Sequence, residues 1–241
     1  MKATRFISSR IFSMEKENLS SIVMKIAVIS IALGVSIMLI SIAIVVGFKN
    51  QIKEKVVGFV SPIQIQALNQ NESIEETPFV YDSTLKSKLS VSFIEGVYPT
   101  ANKAGLIKTD AEIHGIILKG VDKDYNWSYI ISNLTSGEIP QYIKNKRSND
   151  VVISKIIADK LLLNVGDDVR IWFVGDDMKT RGRKFTVKGI YETGLTECDE
   201  RFIYCDLNQI RRLNGWENDY VGHLEIELKD NINAEDANNY I

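Results

Sequence analysis

One uncharged apolar run dominates the pattern of hydrophobic and polar positions in this chain. It extends over residues 26–48 without a charged side chain. As a helix rising 1.5 Å per residue, such a run measures about 35 Å, enough to cross a hydrocarbon core of about 30 Å. The alternative is a fully buried helix in a large soluble protein, but no ordinary core helix needs so long an uncharged stretch. The pattern therefore predicts a membrane-spanning helix.

A cleaved signal peptide is the other explanation for an apolar run near the N-terminus. Signal peptides carry an apolar region of about 7–15 residues behind a short basic start. Here the run begins only at Ile26, is longer, and ends in Val46-Gly47-Phe48, a poor cleavage site. We therefore expect an uncleaved membrane helix within residues 25–57, continuing beyond the membrane to about Val57 and stopping at Gly58.

Basic residues are more numerous before the apolar run than after it. The preceding flank has Lys2, Arg5, Arg10, Lys16 and Lys25 against two glutamates, and the following flank has Lys49, Lys53 and Lys55 against Glu54. This distribution favours an N-terminus in the cytoplasm and a following domain outside it. Residues 1–24 mix basic and apolar positions, which predicts an amphipathic segment at the membrane interface; a disordered basic tail is the alternative.

The apolar run carries small residues in two rows. On a wheel of 3.6 residues per turn, one row falls within about 60° and consists of Ala27, Ser30, Gly34 and Ser41. A second row lies on the opposite side and consists of Ala32, Ser36, Ala43 and Gly47. Small residues allow helix backbones to approach closely in membranes. The rows predict that this helix packs against other transmembrane helices.

Residues 58–241 alternate between short strands and short helices. Period-2 apolar patterns predict strands from Ile63 to Ala67 and near residues 92–98, 104–109, 112–120, 150–154, 168–174, 184–191, 201–205 and 223–228. Helices are predicted near residues 81–89, 125–134, 155–163 and 207–213, the last capped by Asp206 and closed by Gly215, with a turn at residues 164–167. The irregular order predicts an α+β domain. Residues 231–241 resemble the start of another helix, so we expect this domain to continue beyond the given chain.

The composition narrows the function classes. A net charge of -2 over 241 residues argues against a nucleic-acid-binding protein. The sequence has no P-loop, Gly-x-Ser-x-Gly or His-Glu-x-x-His motif, and His114 and His223 lie far apart. We therefore expect no catalytic residues, no cofactor and no metal. Whether Cys198 and Cys205 form a disulfide is left open.

A basic segment lies between two predicted strands. It contains Lys179, Arg181, Arg183 and Lys184. Such a segment is either a soluble hairpin turn or a contact surface for a partner protein, and the sequence leaves both interpretations open.

Several stretches together resemble one family. They are RFISSR at 5–10, IILKGVD at 116–122, GEIP at 137–140, VISK at 152–155, LLLNVGD at 161–167 and, most specifically, FTVKGIYETGLTECDERFIYCDLNQIRRLNGW at 185–216. In this order, after a single apolar run, they resemble the permease subunits of the MacB/LolC/LolE/FtsX type of ABC transporter. The lipoprotein-releasing (LolC/LolE-type) permeases are the most similar in pattern.

The resemblance implies an inner-membrane subunit without chemistry of its own. Its fold would be one span, then a mixed α/β MacB-like periplasmic core domain, then three further spans outside the given chain. Its partners would be membrane lipid, a second permease subunit, cytoplasmic ABC ATPase subunits, lipoprotein cargo and a periplasmic carrier. By this resemblance, the hairpin from Val174 to Lys184 corresponds to the place where the carrier docks, with Lys179, Arg181 and Arg183 as the candidate contact residues.

Other functions remain open at this point. Within the same class, the chain could belong to a MacB-like exporter of peptides or drugs, or to an FtsX-like subunit that activates wall hydrolases. Outside this class, it could be a singly anchored periplasmic binding or sensor protein.

Overall fold

The computed structural model describes residues 19–68, 74–108, 113–144, 146–174 and 180–229, together with 232, 234 and 237. The chain divides into two compact units, Met1–Glu54 and Lys55–Ile241.

The described part of the first unit is most of one long helix, α1 (Leu19–Phe59). Every described side chain of α1 from Ile22 to Val57 is exposed, as expected for an apolar surface that protein does not cover. By length and composition, this is the one helix among the described residues that could cross a membrane. The helix begins at Leu19, so residues 19–24 are continuous with it, whereas residues 1–18 of the predicted interfacial segment lie outside the described part of the chain.

The helix ends two residues beyond the expected Val57. Its final backbone bond runs from the Val60 amide to the Val56 carbonyl at 2.8 Å. Pro62 follows shortly afterwards, and a proline is common just past a helix end because it cannot continue the helix.

The second unit is an α+β domain. Its strands are β1 (Ile63–Gln66), β2 (Phe79–Val80), β3 (Ile94–Lys108), β4 (Ile113–Val121), β5 (Leu134–Gly137), β6 (Asp150–Ser154), β7 (Asp168–Val174), β8 (Thr180–Tyr191), β9 (Phe202–Asp206), β10 (Tyr220–Val221) and β11 (His223–Leu228). Its helices are α2 (Ser83–Lys88), α3 (Ser128–Ser132), α4 (Lys155–Leu161), α5 (Thr196–Asp199) and α6 (Leu207–Asn214). The α+β prediction is confirmed.

A mixed sheet organises this domain. Among the described residues its order is β1-β11-β3-β4-β9-β6-β8-β5, with β7 paired to both β3 and β8 and with β2 and β10 forming a separate pair. The β4–β9 and β6–β8 pairs are parallel and the other strand pairs are antiparallel. The sheet thus places β11 beside β3 and β9 beside β4, although β9 and β11 lie far from β3 and β4 in the sequence.

The local signals place most elements correctly. Asp206 caps α6 by accepting from the Asn208 amide, and Gly215 ends that helix in the left-handed conformation at φ 69°, both as predicted. The sequence predicted two strands, 92–98 and 104–109, where the structure has the single strand β3. Residues 100–108 pair continuously with β4, so the middle of β3 stays in the sheet.

Two apolar clusters lie on the sheet. The larger includes Leu118, Ile153, Ile171, Phe185, Ile203, Ile210 and Leu224. The smaller consists of Phe59, Val121, Ile130, Tyr142, Val152, Tyr191 and Tyr204. Side chains alternate between the two sides of a strand, so Leu118 and Val121 of β4 fall in different clusters. The smaller cluster receives the last residue of α1.

Leu162, at the C-terminal end of α4, holds a left-handed conformation with φ 54° and is 85% exposed. This conformation costs an L-residue about 1–2 kcal/mol, and an exposed leucine recovers little of that cost by burial. We predict that Leu162→Gly raises the free energy of unfolding by about 1 kcal/mol. Denaturant unfolding of the detergent-solubilised chain, followed by tryptophan fluorescence, measures this.

Gly166→Ala provides the matched control. Gly166 has φ 95°, and an added methyl group would meet no atom within 4 Å, so the cost is conformational only. This variant should be less stable than wild type. Equal stability of wild type and Leu162→Gly would contradict the account of Leu162.

Candidate functional site

The end of α1 is buried in the second unit. Phe59 is 1% exposed, and its ring packs edge-on against Phe202 and Tyr204 at centroid distances of 5.0 and 5.9 Å. Gly58 makes this entry feasible, because a methyl group there would collide with the ring of Tyr129. The apolar helix therefore ends in an aromatic socket made of β9 and α3 residues.

Lys119 of β4 binds the helix end. Its ammonium donates to the Phe59 carbonyl at 3.1 Å. The last carbonyls of a helix lack partners within the helix, and a cation is favourable at that end. The ammonium also lies 5.4–5.8 Å from the ring centroids of Phe59, Tyr125 and Tyr204, within the range of cation–π attraction.

Glu225 of β11 balances the charge of Lys119. The two groups are 2.7 Å apart, and each side chain is 3% exposed. Burial by itself would lower the pKa of Lys119, but Glu225 raises it, and the net pKa lies above its ordinary value. Burial by itself would raise the pKa of Glu225, but Lys119 and His223 hold it below its ordinary value. Both groups are therefore charged, as a close buried ion pair requires.

His223 and Glu76 continue this chain of charges. The Nδ1 atom of His223 is 2.7 Å from a Glu76 oxygen, and its Nε2 atom is 3.5 Å from a Glu225 oxygen. Glu76 also accepts from the Asn102 backbone amide at 2.8 Å and from its side-chain amide at 3.1 Å. The pairing of β11 with β3 stops at His223 and Thr100. The Asn102 amide of β3 lies beyond this pairing, and the Glu76 carboxylate accepts its hydrogen bond instead of β11.

The register of the sheet explains why these groups meet. Lys119 lies opposite Asn102 of β3 and Tyr204 of β9, while Glu225 lies opposite Tyr98 and His223 opposite Thr100. The even-numbered residues of β3 therefore lie on the side of the sheet that receives Phe59. They lie between β4, which carries Lys119, and β11, which carries Glu225 and His223. The candidate functional site is this joint: Phe59, Lys119, Glu225, His223, Glu76 and the surrounding aromatic rings.

The joint binds the end of α1 through charged and aromatic groups. Its ammonium and carboxylates are bonded to one another, and within the described residues no group of three or more His, Cys, Asp or Glu could hold a metal ion. Its arrangement can fix the helix end to the sheet.

The predicted packing residues Ala27, Ser30, Gly34 and Ser41 lie in α1 and are exposed. An added methyl group at Gly34 would meet no atom within 4 Å. Their role in helix packing stays a prediction.

The predicted contact hairpin is formed by β7 and β8, which pair from Asp168 with Thr186 to Val174 with Thr180. Arg181 is exposed and Arg183 is half-buried at the start of β8, whereas Lys179 lies outside the described residues. The structure thus brings two of the three candidates to one strand end, and carrier contact stays a prediction.

Two stretches that carried the family resemblance have structural roles. In 116–122, Gly120 follows Lys119, and a methyl group on Gly120 would lie 2.7 Å from Ile210, so this glycine allows α6 to pack closely. In 185–216, the buried Asp199 carboxylate accepts from the Thr193 and Gly194 amides at 3.0 and 3.1 Å and closes that loop.

Both cysteines are free thiols in this structure. Cys205 belongs to the larger apolar cluster, whereas Cys198 packs against the smaller one.

The joint is not among the sites predicted from the sequence. Two signals for it exist: Lys119 is a charge within the apolar stretch of β4, and His223, Glu225 and Glu227 alternate with apolar residues along β11. Neither signal says which residue the charges face, because this depends on the sheet order.

The sequence comparisons with known proteins cover most of the chain. Residues 25–241 match the family described as MacB-like periplasmic core domain. The lipoprotein-releasing system transmembrane protein LolC of Buchnera aphidicola subsp. Schizaphis graminum is 23% identical over 223 residues, which cover 88% of this chain and 52% of that protein. LolE of Haemophilus influenzae is 21% identical over 225 residues, covering 91% and 53%. The chain spans about half the length of these relatives.

Among solved structures, the periplasmic region of MacB from Actinobacillus actinomycetemcomitans has a TM-score of 0.45 at 14% identity, covering 64% of this chain and 67% of that chain. The extracellular domain of the noncanonic ABC-type transporter YknZ from Gram-positive bacteria has a TM-score of 0.46 at 18% identity, covering 70% and 85%. On the strength of the sequence match, this chain belongs to the family of proteins with a MacB-like periplasmic core domain.

We predict that Lys119→Met lowers the free energy of unfolding by about 3–5 kcal/mol, because it leaves the buried Glu225 carboxylate without its cation. The double variant Lys119→Met/Glu225→Gln should be destabilised by less than the sum of the two single changes. Denaturant unfolding of the solubilised chain gives all three values.

Lys123→Met is the matched control, since Lys123 pairs with Asp124 at the surface. Its stability should equal that of wild type within error. A Lys119→Met variant as stable as the control would show that the joint does not contribute to folding.

Proposed function

We propose that this chain is the N-terminal part of a permease subunit of an ABC transporter, and that the transporter releases lipoproteins from the inner membrane. The observation that carries the proposal is the match of residues 25–241 to the MacB-like periplasmic core domain family. The name of the similar LolC and LolE proteins, lipoprotein-releasing system transmembrane proteins, supports the choice of cargo.

In this proposal α1 spans the inner membrane. Its N-terminus lies in the cytoplasm, because more basic residues precede the apolar run than follow it. The second unit lies in the periplasm. The small-residue rows of α1 pack against other transmembrane helices, including those of a second permease subunit.

The subunit contributes force transmission rather than chemistry. A separate cytoplasmic ATPase hydrolyses ATP, and the resulting helix movement has to reach the periplasmic domain. The Lys119 ammonium on the Phe59 carbonyl supports this role, because it ties the last helical residue to the centre of the sheet. A displacement of this helix end acts on β4 and, through Glu225, on β11.

The carrier contact is assigned to the β7–β8 hairpin. Arg181 and Arg183 are the second and fourth residues of β8, whereas the neighbouring Lys184 pairs with Asp168 at 2.7 Å. The two arginine charges favour an acidic partner surface and speed its association.

Affinity purification of the full-length gene product in mild detergent, with mass spectrometry of co-purifying proteins, tests the proposed function. We expect a P-loop ATPase, a permease partner and acylated lipoproteins. An ATPase accompanied by an adaptor or an outer-membrane channel would replace the cargo assignment with a MacB-like exporter. Absence of any ATPase would overturn the transporter assignment and leave an anchored periplasmic binding or sensor protein.

The hairpin assignment has its own test. We predict that Arg181→Glu/Arg183→Glu weakens binding of the periplasmic carrier about tenfold, because both charges at the hairpin are reversed. Binding is measured by titrating the purified carrier onto the full-length subunit in nanodiscs, at low and at physiological salt.

Lys86→Glu/Lys88→Glu is the matched control, since both lysines are exposed on α2. This control should bind the carrier as wild type does. Equal weakening by both double variants would indicate a general charge effect and would remove the hairpin as the contact site.

A further inference from the structure

His223 lies between two carboxylates in the interior of the second unit. Glu76 faces its Nδ1 atom at 2.7 Å and Glu225 faces its Nε2 atom at 3.5 Å, and the histidine side chain is 2% exposed. A neutral imidazole has one N–H and one lone pair, and an ionised carboxylate can only accept. Only the protonated ring presents an N–H to both neighbours, so the geometry fits a charged His223.

The charges around His223 balance only in that state. Lys119 of β4 shares Glu225 at 2.7 Å, and Lys103 of β3 pairs with Glu75 at 2.6 Å. On the remaining sides, β3 presents Thr100 and Asn102, and β1 presents Gln66 opposite the histidine. With His223 protonated, Glu75, Glu76 and Glu225 each have a cation. Loss of that proton leaves an excess negative charge in a buried site, which is costly.

Glu76 belongs to residues 74–78, a segment without helix or strand that we call the strap. Two acidic side chains of the strap contact the sheet: Glu75 reaches Lys103, and Glu76 reaches His223 and Asn102. Ile74 at the start of the strap is 47% exposed. Gly222 leaves room for Glu76, since a methyl group there would collide with that carboxylate.

We propose that the strap is a proton-dependent clasp: it is closed on the sheet while His223 carries its second proton and opens when that proton is lost. The clasp is a property of the second unit, and it goes beyond the transport function because it does not depend on the cargo. Through Glu225 and Lys119, the closed clasp is continuous with the joint that holds Phe59.

The direction of the pH dependence follows from the carboxylates. Burial by itself would lower the pKa of His223, but hydrogen bonds to Glu225 and Glu76 raise it, and the net pKa lies above its ordinary value. A group whose pKa is raised on folding stabilises the folded state below its unfolded pKa, about 6.5 for histidine. This stabilisation is lost as the pH rises through the folded value, so the strap closes at low pH and opens at high pH.

Hydrogen exchange of the full chain in nanodiscs tests the clasp. Gas-phase fragmentation assigns the exchange to single amides, and each measured rate is divided by the intrinsic rate of that amide at the same pH. The Asn102 amide, which donates to Glu76, is the main reporter. We expect its protection to fall about tenfold between about pH 6 and pH 9, the size expected for losing one charge-assisted hydrogen bond.

His223→Gln should show the low protection at every pH, because glutamine carries no charge. His114→Gln is the matched control, since the only other histidine contacts the Glu200 carbonyl instead, and it should behave as wild type. The Leu224 and Ile226 amides of β11 report whether a variant stays folded; if His223→Gln unfolds there, Glu76→Gln replaces it and should abolish the pH dependence. A wild-type protection factor that does not change with pH, or a pH dependence retained in these variants, would overturn the proposal.

Discussion

The ammonium of Lys119 on the carbonyl of Phe59 is the interaction on which the rest of the joint depends. A helix that ends inside a protein leaves carbonyl groups without water, and these must find donors. The chain supplies a lysine, and burying a lysine requires an anion, which Glu225 provides. In the same way, His223 contacts Glu225, and Glu76 contacts His223, so that each buried charge has a partner of opposite sign.

The long strand β3 makes this arrangement possible. It pairs with β11 along one side and with β4 along the other, so charges from the end of the described domain reach a helix end near its beginning. The aromatic rings of Phe59, Tyr125 and Tyr204 then exclude water from the ammonium. In a less polar surrounding, the ion pair is stronger and any unpaired partner is more costly.

The elements of this fold could largely be predicted from local patterns. The apolar run gave the long helix, the alternation of apolar residues gave most strands, and Asp206 and Gly215 gave the bounds of α6. The prediction of two strands in place of β3 shows what local patterns leave out. Residues 99–103 stay in the strand because they pair with neighbouring strands, and not because apolar and polar residues alternate there.

The candidate site was much less accessible to sequence reasoning. The small residues of α1 and the basic hairpin stand out as patterns, and they remain predictions. Lys119, Glu225 and His223 do not stand out, because a buried charge in a strand is recognisable only when its partner is known. That partner follows from the sheet order β11-β3-β4, which no local signal contains.

The width of a single distance distribution tests most directly whether Lys119 fixes the helix end to the domain. Spin labels at Val57 on the last turn of α1 and at the exposed Leu162 would be compared in wild type and Lys119→Met by pulsed electron paramagnetic resonance. Our account predicts one narrow distribution for wild type and a distinctly broader one for Lys119→Met, with β11 still protected from hydrogen exchange. Equally narrow distributions in the two proteins would show that the helix end is held without Lys119 and would contradict the account.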